Sequence, residues 1–136
     1  MKPVIYKWSV TQSLSIREQL EAGIRYFDLR VAVRQSTRQF HFLHTLFGGK
    51  VDDGLQEIKT FLDTHAKEIV VLDFNHFYDM TEDNHRDFVA RVLSIFGDKV
   101  CMLVGLENIS LNMMWENGLQ VVIVYHNEVW KLSYLL

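Results

Sequence analysis

The sequence predicts an α/β domain with mostly parallel strands, and three observations carry the prediction. Strand-like apolar runs alternate with stretches of helical periodicity, the pattern of strands joined by helical crossovers. The run Ile69-Val70-Val71-Leu72 is apolar without alternation, as a strand buried on both faces of a parallel sheet would be. The length of 136 residues supports one small core, whereas a closed (β/α)₈ barrel needs roughly 250. The chain therefore reads as a single domain, 1–136, that is either a small open α/β unit or part of a barrel.

The elements follow in order. Ser15-Ile16-Arg17-Glu18 has the form of a capping box, with Ser15 at the N-cap and Glu18 reaching back. The helix it starts buries Ile16 and Leu20, and Gly23 suits its C-terminal cap. A strand is expected over about Arg25–Val33, a polar turn over Arg34–Arg38, and a second strand over about Gln39–His44. After Gly48-Gly49, a helix places Val51, Leu55, Ile58 and Leu62 on one stripe, with Asp52 and Asp53 at its positive end. Glu68–Phe74 is the strongest strand in the chain. Thr81 caps the next helix, whose inner stripe is Phe88, Val89, Val92, Leu93 and Phe96, ended by Gly97. Val100–Val104 is ambiguous between strand and loop. Ser110–Asn117 reads as a short helix, Gln120–Tyr125 as a last strand, and the tail from Asn127 carries no periodicity.

Composition narrows the function. A net charge of -3 gives no general reason to expect nucleic acid, and no stretch approaches the roughly 20 apolar residues of a membrane span. Any membrane contact is therefore expected to be peripheral. The single cysteine, Cys101, cannot form an internal disulfide and reads as buried, consistent with a reducing, cytoplasmic setting. There is no glycine-rich phosphate loop, no paired-cysteine metal spacing, no H-E-x-x-H and no G-x-S-x-G elbow.

Polar groups gather instead at the ends of the expected strands. In Tyr26-Phe27-Asp28-Leu29-Arg30, alternation puts Tyr26, Asp28 and Arg30 on one face. Two opposite charges on a buried strand are costly unless paired or used. His44, then Asp73 with Asn75 and His76, then Tyr125 and His126 end the other strands. Ligands of α/β folds bind outside the carboxyl ends of the strands. If Phe40, Phe42 and His44 share an inward face, as do Val71, Asp73 and Asn75, then Arg30, His44 and Asn75 converge on one pocket. Arginine binds phosphate oxygens in a fork, and histidine moves protons near neutral pH. Asp28 could orient Arg30 or a substrate hydroxyl. A structural ion pair for Asp28 and Arg30, and structural histidines at strand ends, stay open beside this phosphate-site reading. His41, on the face opposite His44, is expected to be structural, Asn84-His85 to be solvated at a helix start, and Phe40, Phe42 and Phe47 to be core.

The segments Lys7–Gln12, Gln19–Arg30, Phe42-Leu43-His44-Thr45-Leu46-Phe47 and Glu68–Phe77 resemble, in order, motifs of the X domain of phosphatidylinositol-specific phospholipase C. The nearest likeness is to the small X-domain-containing proteins, over about Tyr6 to Tyr125. The resemblance implies a distorted TIM barrel, here incomplete. It implies cleavage of inositol phospholipids at a membrane surface, to diacylglycerol and inositol phosphate, by two histidines acting as general acid and base. His44 matches the second of these, the acid for the leaving group. Arg30 falls where bacterial enzymes carry a phosphate-binding arginine and large eukaryotic enzymes an acidic calcium ligand. Asn75 falls where the latter have another such ligand. The resemblance thus implies a calcium-independent site needing no cofactor, with catalytic His44, Arg30 and Asp28, and substrate contacts from Arg30, Asn75 and Tyr125.

The chain also departs from the family pattern. The first family histidine lies in a His-Asp-Ser-like motif that this sequence does not contain, and Thr45 follows His44 where close relatives often have glycine. The second half of the barrel is expected beyond Tyr125. The expectation is a fragment with weak or no activity, the alternative being a non-catalytic phosphoinositide-binding or regulatory piece.

Overall fold

A computed structural model describes residues 15–43, 49–101 and 109–127. The order of elements is α1 (Ile16–Glu21), β1 (Tyr26–Arg34), β2 (Gln39–Phe42), α2 (Val51–Asp63), β3 (Val70–Tyr78), α3 (Glu82–Phe96), a 3₁₀ turn (Gly97–Lys99), α4 (Leu111–Glu116) and β4 (Val121–Tyr125). The four strands form one sheet in the order β2-β1-β3-β4. β1 pairs parallel with β3, and β3 parallel with β4. The β1–β2 pair departs from the mostly parallel pattern: Arg34–Arg38 closes it into an antiparallel hairpin, with Val31 opposite Phe42 and Val33 opposite Phe40.

Local chemistry sets the helix ends. Ser15 and Glu18 form the expected capping box. Thr81 and Asn84 form a second one, with Asn84 in the position usually held by glutamate. Gly23 takes φ +102°, a conformation that side chains resist, and so lets the chain leave α1 and enter β1. At the C-terminal end of α2, the buried amide of Gln120 donates to the carbonyls of Leu62 at 3.3 Å, His65 at 2.8 Å and Glu68 at 2.9 Å. One side chain thereby joins the end of α2 and the loop after it to the start of β4, and fixes β4 against the entry to β3.

The main core lies between the sheet and the helices. Phe27, Leu29, Val31 and Val33 of β1, Phe40 and Phe42 of β2, and Val70, Leu72 and Phe74 of β3 all point to it. From the helices come Leu55, Ile58 and Leu62 of α2 and Phe88, Val92 and Phe96 of α3. Phe88 makes edge contacts with Phe40 and Phe74, each at 5.1 Å between ring centres. Burial of this apolar surface is the main favourable term holding the sheet to its helices. A smaller cluster sits on the opposite face, at the N-terminal ends of β3 and β4, where Cys101, Met114 and Val122 pack with Val71 and Ile69. The two clusters explain why Ile69–Leu72 shows no alternation: both faces of that stretch are covered.

Candidate functional site

On the face away from α2 and α3, the small cluster covers only the lower part of the sheet. Above it, towards the C-terminal strand ends, stand Tyr26, Asp28 and Arg30 of β1, Asp73, Asn75 and His76 of β3, and His126 just past β4. Alternation from the buried Phe27 and Leu29 places the three β1 residues there, as the sequence predicts. Where the sequence leads one to expect a buried strand face, the structure has an open one: Tyr26 is 57% exposed.

The register between β1 and β3 slips in this region. Leu29 pairs with Phe74 and Arg30 with His76, so Asn75 is an extra residue in β3. Such bulges re-aim side chains. Here the bulge lets both Asn75 and His76 act on the polar face, while Phe77 returns to the core against Tyr125 at 4.7 Å.

A hydrogen-bonded chain links the strands. The Asn75 amide donates to the Asp28 carboxylate, and the Asn75 carbonyl oxygen pairs with Nδ1 of His76 at 2.7 Å. The Tyr26 hydroxyl donates to Asp73 Oδ2. That hydrogen bond raises the Tyr26 phenol above its ordinary range, with smaller contributions in the same direction from burial and from the Asp73 and Asp28 charges. The other Asp73 oxygen, Oδ1, lies 3.0 Å from Nε2 of His126, a close contact rather than an aligned hydrogen bond. Asp73 is only 9% exposed. A carboxylate so placed is tolerated only with partners, which Tyr26 and His126 supply.

Arg30 is different. Its backbone carbonyl accepts from Leu43 N–H at 2.9 Å, which ties the end of β2 to β1. The residue is half-buried, and its guanidinium has no side-chain partner among the described residues. Asp28, expected to orient it, is engaged by Asn75 instead. The bulge brings that amide within reach.

The structure brings Asp28, Arg30 and Asn75 together on one face, and it separates Tyr125 from them. Tyr125 follows Val121 and Ile123 onto the helix side of β4, where it is 6% exposed. Its hydroxyl pairs with Nδ1 of His85 at 2.7 Å, and burial raises the phenol well above its ordinary range. Placement as a substrate contact is thereby corrected, because alternation points the ring into the core. Asn84 and His85 are likewise buried rather than solvated, since the Thr81 capping box turns the first turn of α3 onto the sheet.

β2 gives a further correction. Phe40 and Phe42 pair with Val33 and Val31 and face the helices, so they do not share the face of Arg30. His41, opposite Ala32, does, with its Nε2 buried and unpartnered among the described residues. His44 lies outside the described residues, as does Phe47. The contact between Tyr26 and Asp73 escaped the sequence reading. Both residues were visible at strand positions, but their meeting requires β1 and β3 to be neighbours in this register.

The sequence matches the PI-PLC X 1 family model over residues 5–97. It is 50% identical over 133 residues to PI-PLC X domain-containing protein 2 of Homo sapiens, covering 96% of this chain and 44% of that protein. It is 43% identical over 128 residues to PI-PLC X domain-containing protein 3 of Danio rerio, covering 93% of this chain and 40% of that one. The chain thus spans less than half the length of these relatives. In fold it is similar to a point mutant of the phosphatidylinositol-specific phospholipase C from Staphylococcus aureus. The TM-score is 0.58 at 17% identity, over 82% of this chain and 38% of that one.

Proposed function

The chain belongs to the PI-PLC X family, and from that premise we propose that it forms the phosphate-binding part of a phosphodiesterase site for inositol phospholipids at a membrane surface. The observation that carries the reading is the guanidinium of Arg30, without a side-chain partner among the described residues, at the carboxyl end of a parallel strand beside the Asp28–Asn75 pair. In this reading the sheet is part of an incomplete TIM-like barrel, and its polar face is the barrel interior.

The chemistry is the one the family resemblance implies. The inositol 2-hydroxyl would attack phosphorus to give a cyclic phosphate, its proton passing to the general base that the family carries in the His-Asp-Ser motif, while negative charge grows on the phosphoryl oxygens. Arg30 offsets that charge with a fork of N–H donors, and a fixed dipole or charge placed there stabilises the transition state more than it would in water. His44 gives a proton to the departing diacylglycerol oxygen. Asn75 holds Asp28 in place, and an amide instead of a carboxylate at that position lowers the local negative charge. Arg30 and Asn75 together support a site that works without calcium.

The sequence contains no His-Asp-Ser motif, and losing one of two acid–base partners costs about 10²–10⁴-fold in rate. The chain by itself is therefore expected to bind the headgroup and to turn over phosphatidylinositol weakly or not at all. The test is calorimetric binding of myo-inositol 1-phosphate, together with turnover of phosphatidylinositol vesicles, for the chain and Arg30→Ala. Expected is a loss of about tenfold or more in affinity, the worth of a charge-assisted hydrogen bond, with the folded state intact. Unchanged affinity in Arg30→Ala would remove the phosphate assignment. Turnover at the rate of a full-length relative would overturn the expectation of weak activity.

A further inference from the structure

We propose that His126 is a second, proton-linked contact of the same site, its imidazole held by Asp73 and taking up a proton when a phosphate monoester binds beside Arg30. The inference rests on the phosphate reading of Arg30 and adds a residue and a proton to it.

The geometry begins with the backbone. His126 N–H donates to the Phe74 carbonyl at 2.9 Å, so the β3–β4 ladder runs one residue past Tyr125. Alternation then sends Tyr125 into the core and His126 to the polar face. One nitrogen of the ring, Nε2, rests on buried Asp73, while the side chain as a whole is 54% exposed. An exposed imidazole backed by a buried carboxylate is the arrangement that fixes ring orientation.

The surroundings are defined on every side that the described residues cover. On β3 are Asp73, whose second oxygen is taken by Tyr26, then Asn75 and His76. On β1 are Asp28, taken by Asn75, and Arg30. No lysine or arginine among the described residues pairs with Asp73, whose partners there are Tyr26 and His126. β1 and β4 flank β3, which puts Arg30 and His126 about 10 Å apart at the backbone. Two flexible side chains across that gap can reach one phosphate between them. In the empty site the Arg30 cation opposes a charge on His126. A phosphate dianion between the two reverses the sign of that effect, so binding draws a proton.

The experiment is calorimetry of the full chain with myo-inositol 1-phosphate near pH 7, in two buffers of different ionisation enthalpy, which measures protons taken up on binding. The chain is expected to show net uptake. His126→Gln should abolish it and weaken binding about threefold to tenfold, the range of one hydrogen bond. His126→Lys, with a fixed charge, should restore affinity without uptake, which a merely structural role for His126 would not produce. Proton uptake in His126→Gln equal to that of the parent chain would overturn the proposal while leaving Arg30 its role. Absence of binding by the parent chain, or binding indifferent to Arg30→Ala, would overturn both readings.

Discussion

The hydroxyl of Tyr125 lies 2.7 Å from Nδ1 of His85, joining the end of β4 to the first turn of α3 inside the core. The next residue, His126, reaches Asp73 on the opposite face. The end of β4 and the residue after it thus tie the helix layer to the polar face. The two side chains at this junction on the core side are both buried, and neither gains from carrying a charge.

Burial holds the His85 imidazole below its ordinary range. Its folded value is therefore below its unfolded value, and at mildly acid pH the unfolded chain binds more protons than the folded one. Stability should be fully present above about pH 6.5, the unperturbed imidazole value, and decline as pH falls towards the folded value. Urea melts between pH 7.5 and 5.5 should show this decline, and His85→Gln should flatten it. A decline of the same size in His85→Gln would assign the effect to other groups.

Asn75→Asp replaces an amide that donates to Asp28 with a carboxylate that repels it. Loss of the hydrogen bond costs about 1–3 kcal/mol, and the like charge adds to it. The variant should melt lower than the parent at neutral pH and recover as the new carboxylate is protonated. Calcium should stabilise the variant and leave the parent chain unmoved. A parent chain stabilised by calcium to the same degree would contradict the calcium-independent reading.

Gly54 sits on the inner face of α2 in close contact with β2 and α1. A methyl group there would lie 2.7 Å from Phe42 Cε2 and 2.8 Å from Ile16 Cδ1, and both neighbours are buried. Alanine in a helix is otherwise favoured over glycine by about 1 kcal/mol, but overpacking a tight core costs about 1–3 kcal/mol. Gly54→Ala should lower the denaturation midpoint. A raised midpoint would mean that the Ile16 and Phe42 side chains yield freely.

Much of the fold was legible because its signals are local. The Ser15–Glu18 box, the stripes of α2 and α3, and the apolar run of β3 each lie within a few residues of themselves. The polar face of β1 was legible for the same reason: Tyr26, Asp28 and Arg30 follow from alternation next to Phe27 and Leu29. The antiparallel turn of β2 was not, since Gln39–Phe42 looks the same in either direction. Without the pairing of Phe42 with Val31, the sequence could not tell which of its faces meets the helices. Tyr125 was misread for a related reason. It stands at a strand end, where sequence alone cannot distinguish a residue of the site from one of the core.

By itself the sequence determined the kind of domain, the family motifs and the presence of an arginine and carboxylates on one strand face, because these depend on composition and spacing. The tertiary structure alone decided the partners. The slip in register at Asn75 gives Asp28 an amide and leaves Arg30 without a side-chain partner among the described residues, and the order β1-β3-β4 sets Tyr26 and His126 on the two oxygens of Asp73. Those contacts join residues some 47 to 53 positions apart in the chain. No local rule reaches so far; only the pairing of strands does.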